Sequence, residues 1–288
     1  MSHMTLITAN ELSHKLSDPG WLVVDCRFTL ADPGKGRQEY LEAHIPGAVY
    51  AHLDEDLSAR NSAEALSGGR HPLPLPEPAA ESLGRLGIGQ GMQVVAYDAA
   101  GGALAAARLW WLLHWLGHSH CAVLDGGWQG WLAAEHPVAN GAESRPIQVF
   151  QPRVRSELIV SASQVDAMRQ DKTCRVLDAR AYERFQGKNE TIDPVAGHIP
   201  GACSAPYQAN LKPDLSFRSK HELRQIYLDL LGSVPAERCA VYCGSGVTAA
   251  HSVLAILHAG LGEARLYPGS WSEWISDPSR PVAVGGSS

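Results

Sequence analysis

The hydrophobic pattern of the chain alternates between two periods. Short apolar runs rich in valine, Trp21–Asp25, Gln93–Tyr97, Cys174–Asp178 and Cys239–Tyr242, have strand length and end in polar or glycine-rich segments. Between them lie longer stretches of helical character, one of them Thr248 to His258, stopped by Gly260. Two helix starts are written out: Thr8 with Glu11, and Ser161 with Gln164, each spaced as a capping box. Strands alternating with helices predict an α/β fold, with mostly parallel sheets flanked by helices.

The same elements occur twice, in the same order. Ile7-Thr8-Ala9-Asn10-Glu11-Leu12 corresponds to Val160-Ser161-Ala162-Ser163-Gln164-Val165. Two strands end in acid-x-Arg, at Asp25 and Arg27 and at Asp178 and Arg180. A turn, His44-Ile45-Pro46-Gly47-Ala48, returns as His198-Ile199-Pro200-Gly201-Ala202. The strand before Asp98 corresponds to the strand before Cys243, and Trp128 and Trp131 to Trp271 and Trp274. Ordered matches of this kind predict a duplicated domain. The boundaries read as 5–136 for the first copy and 159–284 for the second. The linker 137–158 carries Pro137, Pro146 and Pro152 with little periodicity.

The chemistry concentrates at Cys243-Gly244-Ser245-Gly246-Val247-Thr248. A strand ends at the cysteine, glycines follow, and a helix begins. Glycines admit positive φ and close approach. Loop amides and the helix start then favour an anion, and a thiolate at the mouth. The first copy has Asp98 at the cysteine position, which reads as a support that has lost catalysis. The first copy also has about nine extra residues between turn and loop, in a stretch holding Asp54, Gly68-Gly69-Arg70-His71 and several prolines. If the two copies face each other, that segment is expected over Cys243.

Composition narrows the classes. The chain has 288 residues, 45% hydrophobic and 19% charged, with net charge −6. That fits about two globular domains and gives no reason to expect a nucleic acid or membrane partner. No apolar run reaches bilayer length. The opening Met-Ser-His-Met reads as an added leader with the native start at Met4, and no signal peptide follows, which favours the cytoplasm. None of the six cysteines forms a C-x-x-C pair, so zinc and redox motifs find no support.

Together, the repeated acid-x-Arg strand, the repeated His-Ile-Pro-Gly-Ala turn and a cradle cysteine in the second copy alone resemble the rhodanese family of tandem-domain sulfurtransferases, from Thr5 to about Val282. The loop Cys243-Gly-Ser-Gly-Val-Thr248 and Gly269-Ser-Trp-Ser-Glu-Trp274 resemble the branch that uses 3-mercaptopyruvate. Thiosulfate-using members typically carry a cationic residue in the loop. The resemblance implies a Cys243 persulfide, with Ser245, His71 and Asp54 as an assisting hydrogen-bonded set. The loop residues Gly244, Gly246, Val247 and Thr248 are expected to bind the donor. It implies no metal or organic cofactor, a small-molecule sulfur donor, and a thiol, thioredoxin-type or cyanide acceptor.

The donor carboxylate calls for an arginine at some distance from the thiolate. Arg180 is expected to supply it, because α/β sheets bind ligands at strand carboxyl ends. The alternative for Arg180 is an ion pair with Asp178. Some family members carry a second arginine six residues on; Gln186 stands there, and Arg184 is the expected substitute. His44 and His198 read as structural turn residues.

Rival classes are a thiosulfate sulfurtransferase, a carrier delivering sulfur to a protein, and a cysteine phosphatase. The last is disfavoured by Ala249, where an arginine should clamp phosphate.

Overall fold

The computed structural model describes residues 3–286; Met1 and Ser2, with which the expected leader begins, lie outside them. Two compact units are present. One comprises Met1–Ala65, Pro74–Arg155 and Leu211–Phe217, the other Leu66–Leu73, Ser156–Asn210 and Arg218–Ser288.

The first unit holds strands β1 (Leu6–Ile7), β2 (Trp21–Asp25), β3 (Val49–Tyr50), β4 (Gln93–Tyr97) and β5 (Cys121–Leu124), in the order β1-β5-β4-β2-β3. Its helices are α1 (Ala9–Ser13), α2 (Lys35–Glu42), α3 (Pro76–Arg85), α4 (Ala105–Trp115) and α5 (Gly127–Ala133). The second unit holds β6 (Arg175–Asp178), β7 (Cys203–Ser204), β8 (Cys239–Tyr242) and β9 (Arg265–Leu266), in the order β7-β6-β8-β9. Its helices are α6 (Ala162–Met168), α7 (Tyr182–Phe185), α8 (Lys220–Leu231), α9 (Thr248–His258) and α10 (Ser270–Trp274). All the strand pairs are parallel, which forces crossovers and explains the intervening helices. A parallel bridge from Ile159 to Leu266 repeats the β1–β5 pairing, so both sheets follow one plan.

The local signals act as the residues dictate. Thr8 and Ser161 each close a full capping box on α1 and α6. A third, Ser219 with Glu222, opens α8. Helix α4 is buried along its whole length and α9 along most of it, as their largely apolar sequences require. No helix among the described residues is long and apolar enough to cross a membrane.

The repeated motifs form one buried knot in each unit. In the first, Asp25 takes a forked pair of bonds from Arg27, whose Nη2 also donates to the Ala43 carbonyl at 2.6 Å. Tyr97 donates to Asp25 and receives the Ile45 amide, and Trp128 stacks 4.6 Å from the Arg27 guanidinium. His44 bonds the Tyr40 carbonyl through Nδ1. In the second, Asp178, Arg180, the Gly197 carbonyl, Tyr242, Trp271 and His198 make corresponding contacts. The knot ties the turn to the carboxyl ends of β2 and β6, fixing the rim from which the next strand, β4 or β8, releases its loop.

Candidate active site

Register places the candidate nucleophile. Asp178 pairs with Tyr242, the last residue of β8, so Cys243 leaves the sheet at the edge marked by Asp178. The Cys243 amide donates to Ser270 Oγ at 3.1 Å, and its carbonyl accepts the Trp271 amide at 3.0 Å. The Gly244 carbonyl accepts the Ser272 amide at 3.0 Å. The first turn of α10 thus grips the loop through its backbone. Gly246 has φ +75°, and a Cβ there would stand 2.3 Å from the Pro268 carbonyl oxygen, so only glycine fits. Val247 caps α9 and Thr248 begins it, which aims the positive helix end into the loop.

Ser270 escaped the sequence reading. It holds φ +54°, uncommon for a residue with a Cβ, and its hydroxyl links the Cys243 amide to the Tyr267 carbonyl. Its repeat mate Gly127 has φ +56°. Serine where the other copy uses glycine was the available signal.

The segment Leu66–Leu73 belongs to the second unit. The Gly68 amide donates to Glu273, and the Arg70 amide to Ser272 Oγ. His71 is buried, with Nδ1 2.8 Å from Ser245 Oγ. Three of the four predicted catalytic residues, Cys243, Ser245 and His71, therefore lie in one unit. Asp54 lies in the other unit, half-buried, and burial pushes its carboxyl up from the ordinary value.

The arginines are arranged differently from expectation. Arg180 is 2% exposed; its guanidinium serves Asp178, the Gly197 carbonyl and the Trp271 ring, as Arg27 serves its counterparts in the copy that has Asp98 at the loop position. The alternative weighed for it, an ion pair with Asp178, is the arrangement present. Arg184 and Arg70 face the loop instead. A Cβ built on Gly244 would stand 3.0 Å from Arg70 Nη2 and 3.6 Å from Arg184 Nη1. The loop is uncharged in its own residues, but it is not without cations beside it. Asp193 accepts from both: Arg70 Nη1 on Oδ1 and Arg184 Nη2 on Oδ2, each at 2.7 Å. Glu190 accepts from Arg184 Nε. Burial pushes the Glu190 carboxyl up, but the bonds from Arg184 and the amides of Asp193 and Ile192 outweigh it, for a net lowering.

Removing one partner of a buried ion pair costs about 3–5 kcal/mol. Arg180→Ala and Arg27→Ala are therefore both expected to lower the urea midpoint of unfolding markedly. An Arg180→Ala protein as stable as wild type, with only its KM for a carboxylate donor raised, would return Arg180 to the substrate.

Burial pushes the thiols of Cys26, Cys121 and Cys239 up, as befits small apolar fillers. Asp98, at the position of Cys243, is fully buried, and its carboxylate accepts the amides of Ala100, Gly102, Leu104 and Ala106. The first unit's loop is thus filled by its own side chain.

Comparison with known proteins agrees with this geometry. The rhodanese-like domain model matches twice, over residues 8–134 and 161–277. A Pseudomonas aeruginosa protein named "Probable 3-mercaptopyruvate sulfurtransferase" is 47% identical, over 99% of this chain and 100% of its own. "Thiosulfate sulfurtransferase" from Cricetulus griseus is 32% identical, over 93% of this chain and 90% of its own. The crystal structure of SseA from Escherichia coli, described as a 3-mercaptopyruvate sulfotransferase, superposes with a TM-score of 0.78 at 31% identity, covering 94% of this chain and all of that one. With two matched domains spanning most of its length, the chain belongs to the rhodanese family.

Proposed function

We propose that the protein moves sulfane sulfur from 3-mercaptopyruvate to a thiol or cyanide acceptor through a persulfide on Cys243. The observation that carries this is the 2.8 Å hydrogen bond between His71 and Ser245, two residues from the cysteine. A donor that breaks a carbon–sulfur bond needs such a group. The Cys243 thiolate attacks the donor sulfur, the S–S bond forms, and the C–S pair leaves with carbon as the pyruvate enolate. The proton that the donor thiol carried must reach that carbon, and Ser245 with His71 is the group placed to move it. Thiosulfate releases sulfite, a stable anion that needs no proton on leaving. The products are pyruvate and a Cys243 persulfide held by the loop amides; the acceptor takes the outer sulfur and restores the thiolate. Such covalent catalysis gives ping-pong kinetics.

In this reading Arg184, with Arg70, receives the donor carboxylate, and Gly244, Gly246, Val247 and Thr248 shape the cradle. Asp54, the expected acidic member, belongs to the other unit and is given no part in this relay. The six cysteines are free, and a thiol acceptor suits a reducing compartment such as the cytoplasm.

A thiosulfate sulfurtransferase is the second reading, favoured by the two guanidinium groups beside Gly244 and by the Cricetulus relative's name. Side-by-side kcat/KM values for the two donors decide. Mercaptopyruvate is expected to exceed thiosulfate by at least about tenfold, the step that one charged hydrogen bond's difference is worth. A wild-type preference for thiosulfate would overturn the first reading.

A further inference from the structure

We propose that Asp193 is a specificity-determining residue: by bridging Arg70 and Arg184 it offsets their charge beside the cradle and tunes the site to singly charged sulfur donors over doubly charged ones. The inference deepens the reading above and rests on it for the identity of the donor.

The geometry has three parts. The two guanidinium groups stand against Gly244, next to the nucleophile, where a donor's anionic end must lie if its sulfur is to meet Cys243. Arg70 Nε is buried and donates to no atom among the described residues, so this guanidinium has a donor in reserve. Asp193 is itself almost fully buried at its side chain, and each of its oxygens takes a different arginine. That makes it a fixed brace for two groups that would otherwise repel each other.

The charges balance. Arg70 and Arg184 bring two positive charges; Asp193 and Glu190 bring two negative ones. Arg180 is matched by Asp178. The cluster thus presents directed N–H donors with little net charge. A single carboxylate is held by geometry, through forked hydrogen bonds. A dianion pays the larger desolvation penalty and needs net positive charge to offset it, which the cluster withholds. Neutral residues at 244 and 245 account for only part of this, because the loop's neighbours supply cations and then cancel them.

The test is kcat/KM for mercaptopyruvate and for thiosulfate, with wild type, Asp193→Asn and Arg70→Gln, at one low ionic strength. Added positive charge attracts a dianion about twice as strongly as a monoanion. Asp193→Asn is therefore expected to raise the thiosulfate-to-mercaptopyruvate ratio about tenfold, chiefly through a lower KM for thiosulfate. Arg70→Gln should move the ratio the opposite way by a similar factor, and added salt should shrink both shifts. Equal losses with both donors would make Asp193 a mere brace and overturn the proposal, as would an unchanged ratio. If Asp193→Asn does not fold, Arg70→Gln decides by the sign of its shift. A wild-type preference for thiosulfate would sink the donor reading alone, because the direction of the variant shifts still tests the charge argument.

Discussion

Replacing Cys243 with serine is expected to abolish sulfur transfer. The expected loss is at least about 10⁴-fold, the scale seen when an essential nucleophile is removed. A serine hydroxyl does not form a persulfide, and nothing nearby offers a substitute. Ser270 Oγ is engaged with the Cys243 amide and the Tyr267 carbonyl. Cys239 lies at the far end of β8, with its thiol pushed up by burial. Mass spectrometry of wild type after brief donor exposure without acceptor should find one added sulfur atom, on the peptide containing Cys243. Added sulfur chiefly on another cysteine, or appreciable turnover by the serine variant, would remove Cys243 from its role.

The second large effect is expected at His71. His71→Ala should lower kcat with mercaptopyruvate by on the order of 100-fold or more, the usual worth of a positioned acid–base group. With thiosulfate the loss should be far smaller, because sulfite leaves without a proton. Ser245→Ala should show the same donor asymmetry, since Ser245 is the group His71 bonds. A histidine that only props the loop would weaken both donors equally, and that result would refute the relay. Circular dichroism on each variant separates such a loss from unfolding. The backbone anchors of this segment, Gly68 to Glu273 and Arg70 to Ser272, do not involve the imidazole, so the segment is expected to stay in place.

Much of the fold was legible because short-range rules govern it. The capping boxes at Thr8 and Ser161, the acid-x-Arg strands and the histidine turns each state a local arrangement, and the chain states each one twice. The arginines were less legible. Arg180 sits where a ligand-binding residue should sit, at a strand carboxyl end, but Arg27 occupies the equivalent place in the copy whose loop carries Asp98 instead of a cysteine. That parallel favours a structural role, as do the matching Asp–Arg pairs in the two copies. Asp193 and Glu190 lie in an irregular stretch after α7, where no periodicity marks a direction; only the folded chain brings them to Arg184 and Arg70. Arg70 itself comes from a segment sequentially inside the first copy and structurally part of the second unit. Sequence distance carries no information about such an exchange.

The filled loop of the first unit has a meaning for the second. Asp98 is a tethered ligand. An anion fixed to the chain needs no search through solution and gives up little freedom on docking, so its effective concentration at the four amides is far above that of any dissolved anion. Its hold is permanent, and for that reason it is useless for turnover. A catalytic loop must do the opposite: keep its donors available, accept a guest, and release it. The duplication lets one copy keep a resident anion as ballast while its sibling's loop stays open for traffic.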